Sequence, residues 1–194
     1  MKEYKLPIET FMGGWFIDNK LCTDIIKYFK KSKEKRIGAF ETGKENKITL
    51  TSNKKIKDSV DLYISNNNFE YPFLDYQKEL QKCLNNYILK YPEVHLLGKF
   101  MLVDYNIQYY KKNGGYKVFH CERSYKNTSK RMLVFMTYLN DVKDGGTEFK
   151  YQKVITPAKE GLTLIWPTDW THTHRSQVSL LENKYIVTGW FEFE

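Results

Sequence analysis

His120-Cys121-Glu122 and, much further on, Thr171-His172-Thr173-His174 hold residue types from which a metal site can be assembled. Side chains on a strand alternate from face to face, so His120 and Glu122 would share a face. One more imidazole from a distant strand would place two nitrogen donors and one carboxylate oxygen around a single ion. Such a set leaves coordination positions open and suits non-haem Fe(II) oxygen chemistry. Zinc accepts the same donors plus water, and a histidine–glutamate pair on a strand can also simply hydrogen-bond. His172 and His174 would face the same way on a strand, so periodicity does not choose between them. Lys184, ten positions past His174, adds a cation on which an anionic co-substrate could dock. The remaining histidine, His95, follows Pro92 without an evident partner and reads as structural or exposed.

These residues need rigid elements to hold them. Asp18-Asn19 is a candidate N-cap before KLCTDIIKYFKKSKEKR, where Leu21, Ile25, Ile26 and Phe29 fall at helical spacing. Residues 38–68 are polar and β-prone, with the turn clusters GKEN and SNNN. Asp75 to Tyr91 reads as a second helix stopped by Pro92, with Leu80, Leu84, Tyr87 and Ile88 facing inward. After Gly98 the chain turns to strands: FMLVDYNIQYY, YKVFHCE, MLVFMTYLN, TEFKYQ, LTLIWP, THTHRS and KYIVTGWFEF. Strands at this spacing predict a sandwich or barrel, and helices that precede them rather than alternate disfavour a doubly wound parallel sheet. No repeat or linker appears. The expectation is one domain over 1–194, with 1–97 an N-terminal helical and strand elaboration and 98–194 the β core.

Composition narrows the classes. Aromatics make up 16% of the chain, enough to bury a large apolar surface despite 28% charged residues. No apolar run is long enough to span a membrane, and MKEYKLPIET lacks the apolar stretch of a signal peptide, so a soluble cytoplasmic protein is expected. The three cysteines, Cys22, Cys83 and Cys121, show no metal or disulfide spacing and read as reduced thiols. Strand alternation turns Cys121 away from its neighbours, as a small buried hydrophobe. The net charge of +8 is mostly lysine spread over many segments. A basic surface favours encounters with nucleic acid, but this spread reads as a solvated surface, and nucleic-acid binding is not favoured.

In chain order, His120-Cys121-Glu122, Gly145-Gly146-Thr147-Glu148-Phe149, Pro157 through Gly161, His174 and Lys184 resemble the 2-oxoglutarate/Fe(II)-dependent dioxygenases. The C-terminal part resembles their prolyl-4-hydroxylase-like branch. The likeness covers roughly residues 98–194 and extends weakly to GGWFIDNKLCTDIIKYF. It implies an α+β, mainly β fold: a double-stranded β-helix, or jelly roll, with the N-terminal helices packed on one sheet. In this branch a basic residue follows the distal ligand by about ten positions, and 184 − 174 = 10 here. The resemblance therefore implies His120, Glu122 and His174 as Fe(II) ligands, with His172 an adjoining or entrance residue.

The same resemblance pairs Lys184 with the distal carboxylate of 2-oxoglutarate. It brings Tyr110 and Tyr138 to the co-substrate, with Thr188 a weaker candidate. Arg131 resembles a substrate-contacting arginine, and Trp190 an aromatic beside the metal. The family's usual carboxylate is aspartate, so Glu122 is a departure whose extra methylene changes reach; Glu148 is an alternative carboxylate. The implied activity is hydroxylation of a peptide or protein, prolyl in the first instance, coupled to decarboxylation of 2-oxoglutarate to succinate and CO2. O2 is the oxidant, and ascorbate is a compatible accessory reductant. Alternatives are a nucleobase or small-molecule substrate, or a non-catalytic jelly-roll binding module. RSYKNTSK and residues 41–68 are candidate lids by composition.

Overall fold

The computed structural model describes residues 1–44 and 47–194; the turn expected at GKEN includes residues 45 and 46 and so lies outside the described residues. The chain opens with β1 (Lys2–Glu3), β2 (Gly13–Phe16) and α1 (Asn19–Lys31). Strands β3 (Arg36–Ile37), β4 (Phe40–Lys44), β5 (Lys47–Thr51), β6 (Lys57–Asp58) and β7 (Val60–Ile64) lead to α2 (Phe73–Lys90). There follow β8 (Phe100–Leu102), β9 (Tyr105–Tyr110), β10 (Gly115–Tyr116), β11 (Arg131–Tyr138) and β12 (Val142–Phe149). The last are β13 (Val154–Ala158), β14 (Leu162–Pro167), β15 (His174–Ser176) and β16 (Lys184–Phe193).

The expected N-cap forms: Asp18 Oδ1 accepts the Lys20 N–H at 2.8 Å, satisfying an otherwise unpaired helical donor. Helix α1 stops at Lys31 rather than continuing to Arg36, because Ser32 turns extended (φ −62°, ψ 141°). The Lys35 ammonium then folds back onto the free carbonyls of Phe29 and Lys30 at 3.1 and 3.0 Å, where a cation complements the helix C-terminus. Helix α2 begins slightly before the expected Asp75 and ends just before Pro92. No helix among the described residues is long and apolar enough to cross a membrane.

The major sheet runs β1-β2-β14-β11-β16-β9-β7-β3, with β8 also paired to β16. The minor sheet runs β13-β12-β15. Pairing is antiparallel in both. Side-chain parity explains the long apolar runs in the sequence. On β11, Val134, Met136 and Tyr138 enter the core between the sheets, while Leu133 and Phe135 enter the core beneath α1 and α2. On β14, Leu164 and Trp166 point between the sheets and Ile165 points to the helices. A strand buried on both faces needs apolar residues at successive positions, not alternate ones. Phe135 is 0% exposed, and its truncation to alanine would cost about 3–5 kcal/mol.

The result is a double-stranded β-helix with the helices on the outer face of its major sheet, as the sequence resemblance implies. Residues 1–97 supply more than helices: β2 pairs with β14 and β7 with β9, so the N-terminal part lengthens the major sheet on both sides. The glycine pair ahead of Thr147 has a steric cause. A Cβ on Gly146 would lie 1.8 Å from the Thr156 carbonyl oxygen, so only glycine lets β12 approach β13 there.

Candidate metal and co-substrate site

One donor atom from each of His120, Glu122 and His174 lies within 4.8 Å of the others. Glu122 Oε1 is 3.4 Å from both His120 Nε2 and His174 Nε2. The two rings lie 4.5 Å apart between centroids. Each imidazole is oriented from behind by a backbone carbonyl, Val118 O at 3.1 Å from His120 Nδ1 and His172 O at 2.8 Å from His174 Nδ1. A carbonyl only accepts, so it fixes the proton on Nδ1 and leaves each Nε2 lone pair facing inward, the arrangement a metal needs. Burial, followed by the proximity of His174, lowers the pKa of His120 and keeps its ring neutral. Burial alone would raise the Glu122 carboxyl, but when either imidazole takes up a second proton its hydrogen bond and charge outweigh burial and hold Glu122 well below the carboxylate range.

The backbone that presents these groups is not the regular strand expected over YKVFHCE. Only Gly115–Tyr116 is strand-paired, with β6, and His120 makes a single antiparallel bridge to His174. Glu122 reaches the same side as His120 by other means: its N–H and that of Arg123 both donate to Thr168 O at 3.1 Å. Arg123 then forms a forked pair with Asp169, at 2.6 and 2.7 Å from Nη2, which ties the Glu122 segment to the turn leading into His174. Cys121 is half-exposed rather than buried, with its Sγ 3.3 Å from Ser124 Oγ, because the segment has left the sheet.

Of the paired histidines, only His174 faces the cluster. The buried His172 points the other way, its Nε2 3.0 Å from Thr10 O and its Nδ1 3.0 Å from Thr171 Oγ1. It is a packing residue against the N-terminal segment rather than an entrance residue. His95 is exposed. Glu148 is paired with Arg175 at 2.8 Å and does not join the cluster.

A cavity of about 710 Å3 contains the cluster, and Tyr110, Arg131, Tyr138, Lys184, Thr188 and Trp190 also line it. Lys184 is 4% exposed, and its Nζ donates to Gly145 O at 2.7 Å, Ser176 Oγ at 2.5 Å and Gln177 O at 3.2 Å. None of these partners carries charge, and burial pulls the ammonium pKa down to about 7. A buried cation without a counter-ion is costly, and an incoming carboxylate would relieve it. The donor set and this cation together fit Fe(II) and an anionic keto acid.

Tyr138 shares its hydroxyl with Thr147 Oγ1 at 2.7 Å and Thr156 Oγ1 at 3.3 Å, and burial raises its pKa to about 12. Tyr110 donates to Gln108 Oε1 at 2.6 Å. Thr188 Oγ1 donates to Phe135 O at 3.0 Å. Trp190 Nε1 donates to Glu122 Oε2 at 3.1 Å, and the Arg131 guanidinium stacks 3.8 Å from the Trp190 ring centroid. Arg131 Nη1 also donates to Glu122 O at 3.0 Å.

Some residues at the site carried no sequence signal that singled them out. Tyr116 stacks on the His120 ring at 3.6 Å and 14°. Gln108 anchors Tyr110, and Asp169 receives Arg123 from far along the chain. Ser176 could have been found, because it lies two residues past His174 on the same face of one strand.

The model of the 2OG-Fe(II) oxygenase superfamily matches residues 105–192. No curated protein matches the sequence. Among solved structures, a Pseudomonas putida prolyl-4-hydroxylase is similar at TM-score 0.67 and 15% identity, over 95% of this chain and 94% of that one. The viral collagen prolyl hydroxylase of Paramecium Bursaria Chlorella virus-1, in its 2OG complex, is similar at TM-score 0.66 and 16% identity, over 95% and 97% of the two chains. A prolyl hydroxylase from Trichoplax adhaerens, in complex with a hypoxia inducible factor oxygen degradation domain peptide fragment, gives TM-score 0.66 and 16% identity, over 92% and 83%. At these identities the structural likeness is one of fold.

Proposed function

We propose that the chain is a 2OG-Fe(II) oxygenase, the superfamily whose model matches residues 105–192, and that it hydroxylates a prolyl residue of a peptide or protein. The observation that carries this reading is the meeting of the His120, Glu122 and His174 donors in one cavity with the buried cation of Lys184. His120, Glu122 and His174 would hold Fe(II). Fe(II) with 2-oxoglutarate supplies the activation of O2 and the oxidising power for hydroxylation.

The chain's own residues orient and exclude. Lys184 pairs with the distal carboxylate of 2-oxoglutarate, exchanging neutral acceptors for an anion. The protonated hydroxyls of Tyr138 and Tyr110 direct the same co-substrate, and Thr188 lies beside them on the inward face of β16. Tyr116, Phe119, Tyr125 and Trp190 form an aromatic lining that excludes water and suits an apolar pyrrolidine ring. Arg131 closes the substrate side by stacking on Trp190. Glu41 of β4 lies 3.8 Å from Arg131 Nη2 and accepts from Asn127 Nδ2 at 3.3 Å, so the β4–β5 hairpin and the segment 123–130 meet at the cavity mouth. Both are placed to cover a bound peptide. The peptide-bound Trichoplax relative supports this substrate class.

The test is anaerobic titration with Fe(II) and 2-oxoglutarate, read by the visible charge-transfer band of the chelate. Succinate release is then measured with proline-rich peptides, oligonucleotides and free small molecules. The reading expects the band, and succinate release with peptides that gain one oxygen by mass. Absence of the band and of iron retention would make the chain a binding module. Turnover with oligonucleotides alone would move the substrate to nucleic acid.

A further inference from the structure

The two oxygens of Glu122 stand in different surroundings. Oε1 faces both inward imidazole nitrogens at 3.4 Å, whereas Oε2 accepts the Trp190 indole N–H at 3.1 Å. The indole is itself held, with the Arg131 guanidinium 3.8 Å from its ring centroid. The same Arg131 donates to the Glu122 backbone carbonyl at 3.0 Å, so one arginine braces both ends of the contact. Glutamate has a longer and freer stem than aspartate, and it rises here from irregular backbone rather than a strand. Left alone, such a carboxylate can turn to offer both oxygens to one ion. An octahedral ion gripped by both imidazoles and both oxygens has room for two-point chelation by a keto acid and none for O2.

We propose that Trp190 is a positioning residue that withholds Oε2 of Glu122 from the metal, so that the glutamate binds through Oε1 alone and one position stays open for O2. This rests on the iron and 2-oxoglutarate reading above. It gives Trp190 a task on the metal side of the cavity in addition to lining the substrate side. It also accounts for a glutamate at this position: the added methylene is what brings Oε2 within reach of the indole on β16.

The experiment counts open positions directly. Anaerobic Fe(II)-loaded protein saturated with 2-oxoglutarate is exposed to nitric oxide, and the iron–nitrosyl signal is read by electron paramagnetic resonance. Wild type gives a full signal. Trp190→Phe keeps the 2-oxoglutarate charge-transfer band but loses the nitrosyl signal about tenfold, the scale on which outer partners tune a metal site. In Glu122→Asp the shorter side chain does not reach the indole, so adding Trp190→Phe to it leaves the signal unchanged. Trp190→Leu, which also lacks a side-chain donor, carries the same test should the phenylalanine variant fold poorly. A full nitrosyl signal in the Trp190 variants would sink the role of Trp190 alone, as would an equal loss in the Glu122→Asp background. Wild-type protein without iron binding or the charge-transfer band would sink the underlying reading and this one with it.

Discussion

Binding of 2-oxoglutarate should weaken as pH rises above neutrality, because its proposed anchor is a cation that burial has nearly discharged. Lys184 is 4% exposed among neutral acceptors, and burial lowers its pKa from 10.5 to about 7. In the free protein it is then roughly nine-tenths charged at pH 6, about half charged at pH 7 and roughly one-tenth charged at pH 8, the charged-to-neutral ratio falling about tenfold per pH unit. A bound carboxylate restores a high pKa to the ammonium, so the complex holds a proton that the free protein has lost. Affinity is therefore full below pH 7 and falls about tenfold, or about 1.4 kcal/mol, for each unit above it, until the pKa of the complex is reached. Titration calorimetry at pH 6–9, in buffers of different ionisation enthalpy, measures both the affinity and the proton taken up. The folded protein without co-substrate carries the opposite sign. Its lysine pKa lies below the unfolded value, so this group's contribution to stability is full above pH 10.5 and is lost as pH falls to about 7. Lys184→Met should accordingly abolish 2-oxoglutarate binding while making the free protein about 1–4 kcal/mol more stable at neutral pH. Affinity that stays flat from pH 6 to 9 without proton uptake would refute the reasoning.

The remaining predictions concern the other groups. His174→Ala should abolish Fe(II) binding by calorimetry, whereas His172→Ala should keep it and lose about 1–3 kcal/mol of stability, because Thr10 O loses its donor. Loss of metal only in the His172 variant would reverse the choice of ligand. Tyr138→Phe should weaken 2-oxoglutarate about tenfold in the charge-transfer titration and leave Fe(II) affinity alone, by removing a donor that only the anion uses fully. Arg123→Ala should lower Fe(II) affinity about tenfold with little change in melting temperature, since its pair with Asp169 is partly exposed and serves mainly to align the two ligand segments. A fall in melting temperature with unchanged metal affinity would make that pair structural only.

What the sequence made legible follows the range of the forces involved. Asp18 announces α1 because capping is local, and Pro92 announces the end of α2 for the same reason. The apolar runs of β11, β14 and β16 report burial on both faces. The resemblance singled out His174, and the structure turns that ring toward Glu122. The failures are long-range. The segment YKVFHCE has strand-forming residues, but its path is set by Thr168 O, Asp169 and the stacking of Tyr116 on His120. The orientation of His172 depends on Thr10, distant in sequence and brought close only by the fold. Neither partner leaves a periodic trace, so alternation correctly grouped His120 with Glu122 for a reason the structure does not use.

Parity on one strand does govern the rest. Lys184, Ile186, Thr188 and Trp190 occupy alternate positions of β16 and line the cavity, while Tyr185, Val187 and Phe191 pack toward the helices. Register with β11 and β9 is fixed by pairs such as Val134 with Trp190 and Tyr110 with Lys184. A slip of one residue would turn the cation and the indole together into the apolar helix-facing core and bring Tyr185 and Phe191 into the cavity. Misregister therefore carries the cost of burying an ammonium and an unpaired indole N–H as well as the loss of packing. The same alternation that specifies the fold thus places the co-substrate anchor and the Glu122 brace on one rigid element, with the metal ligands held against it from the opposite side.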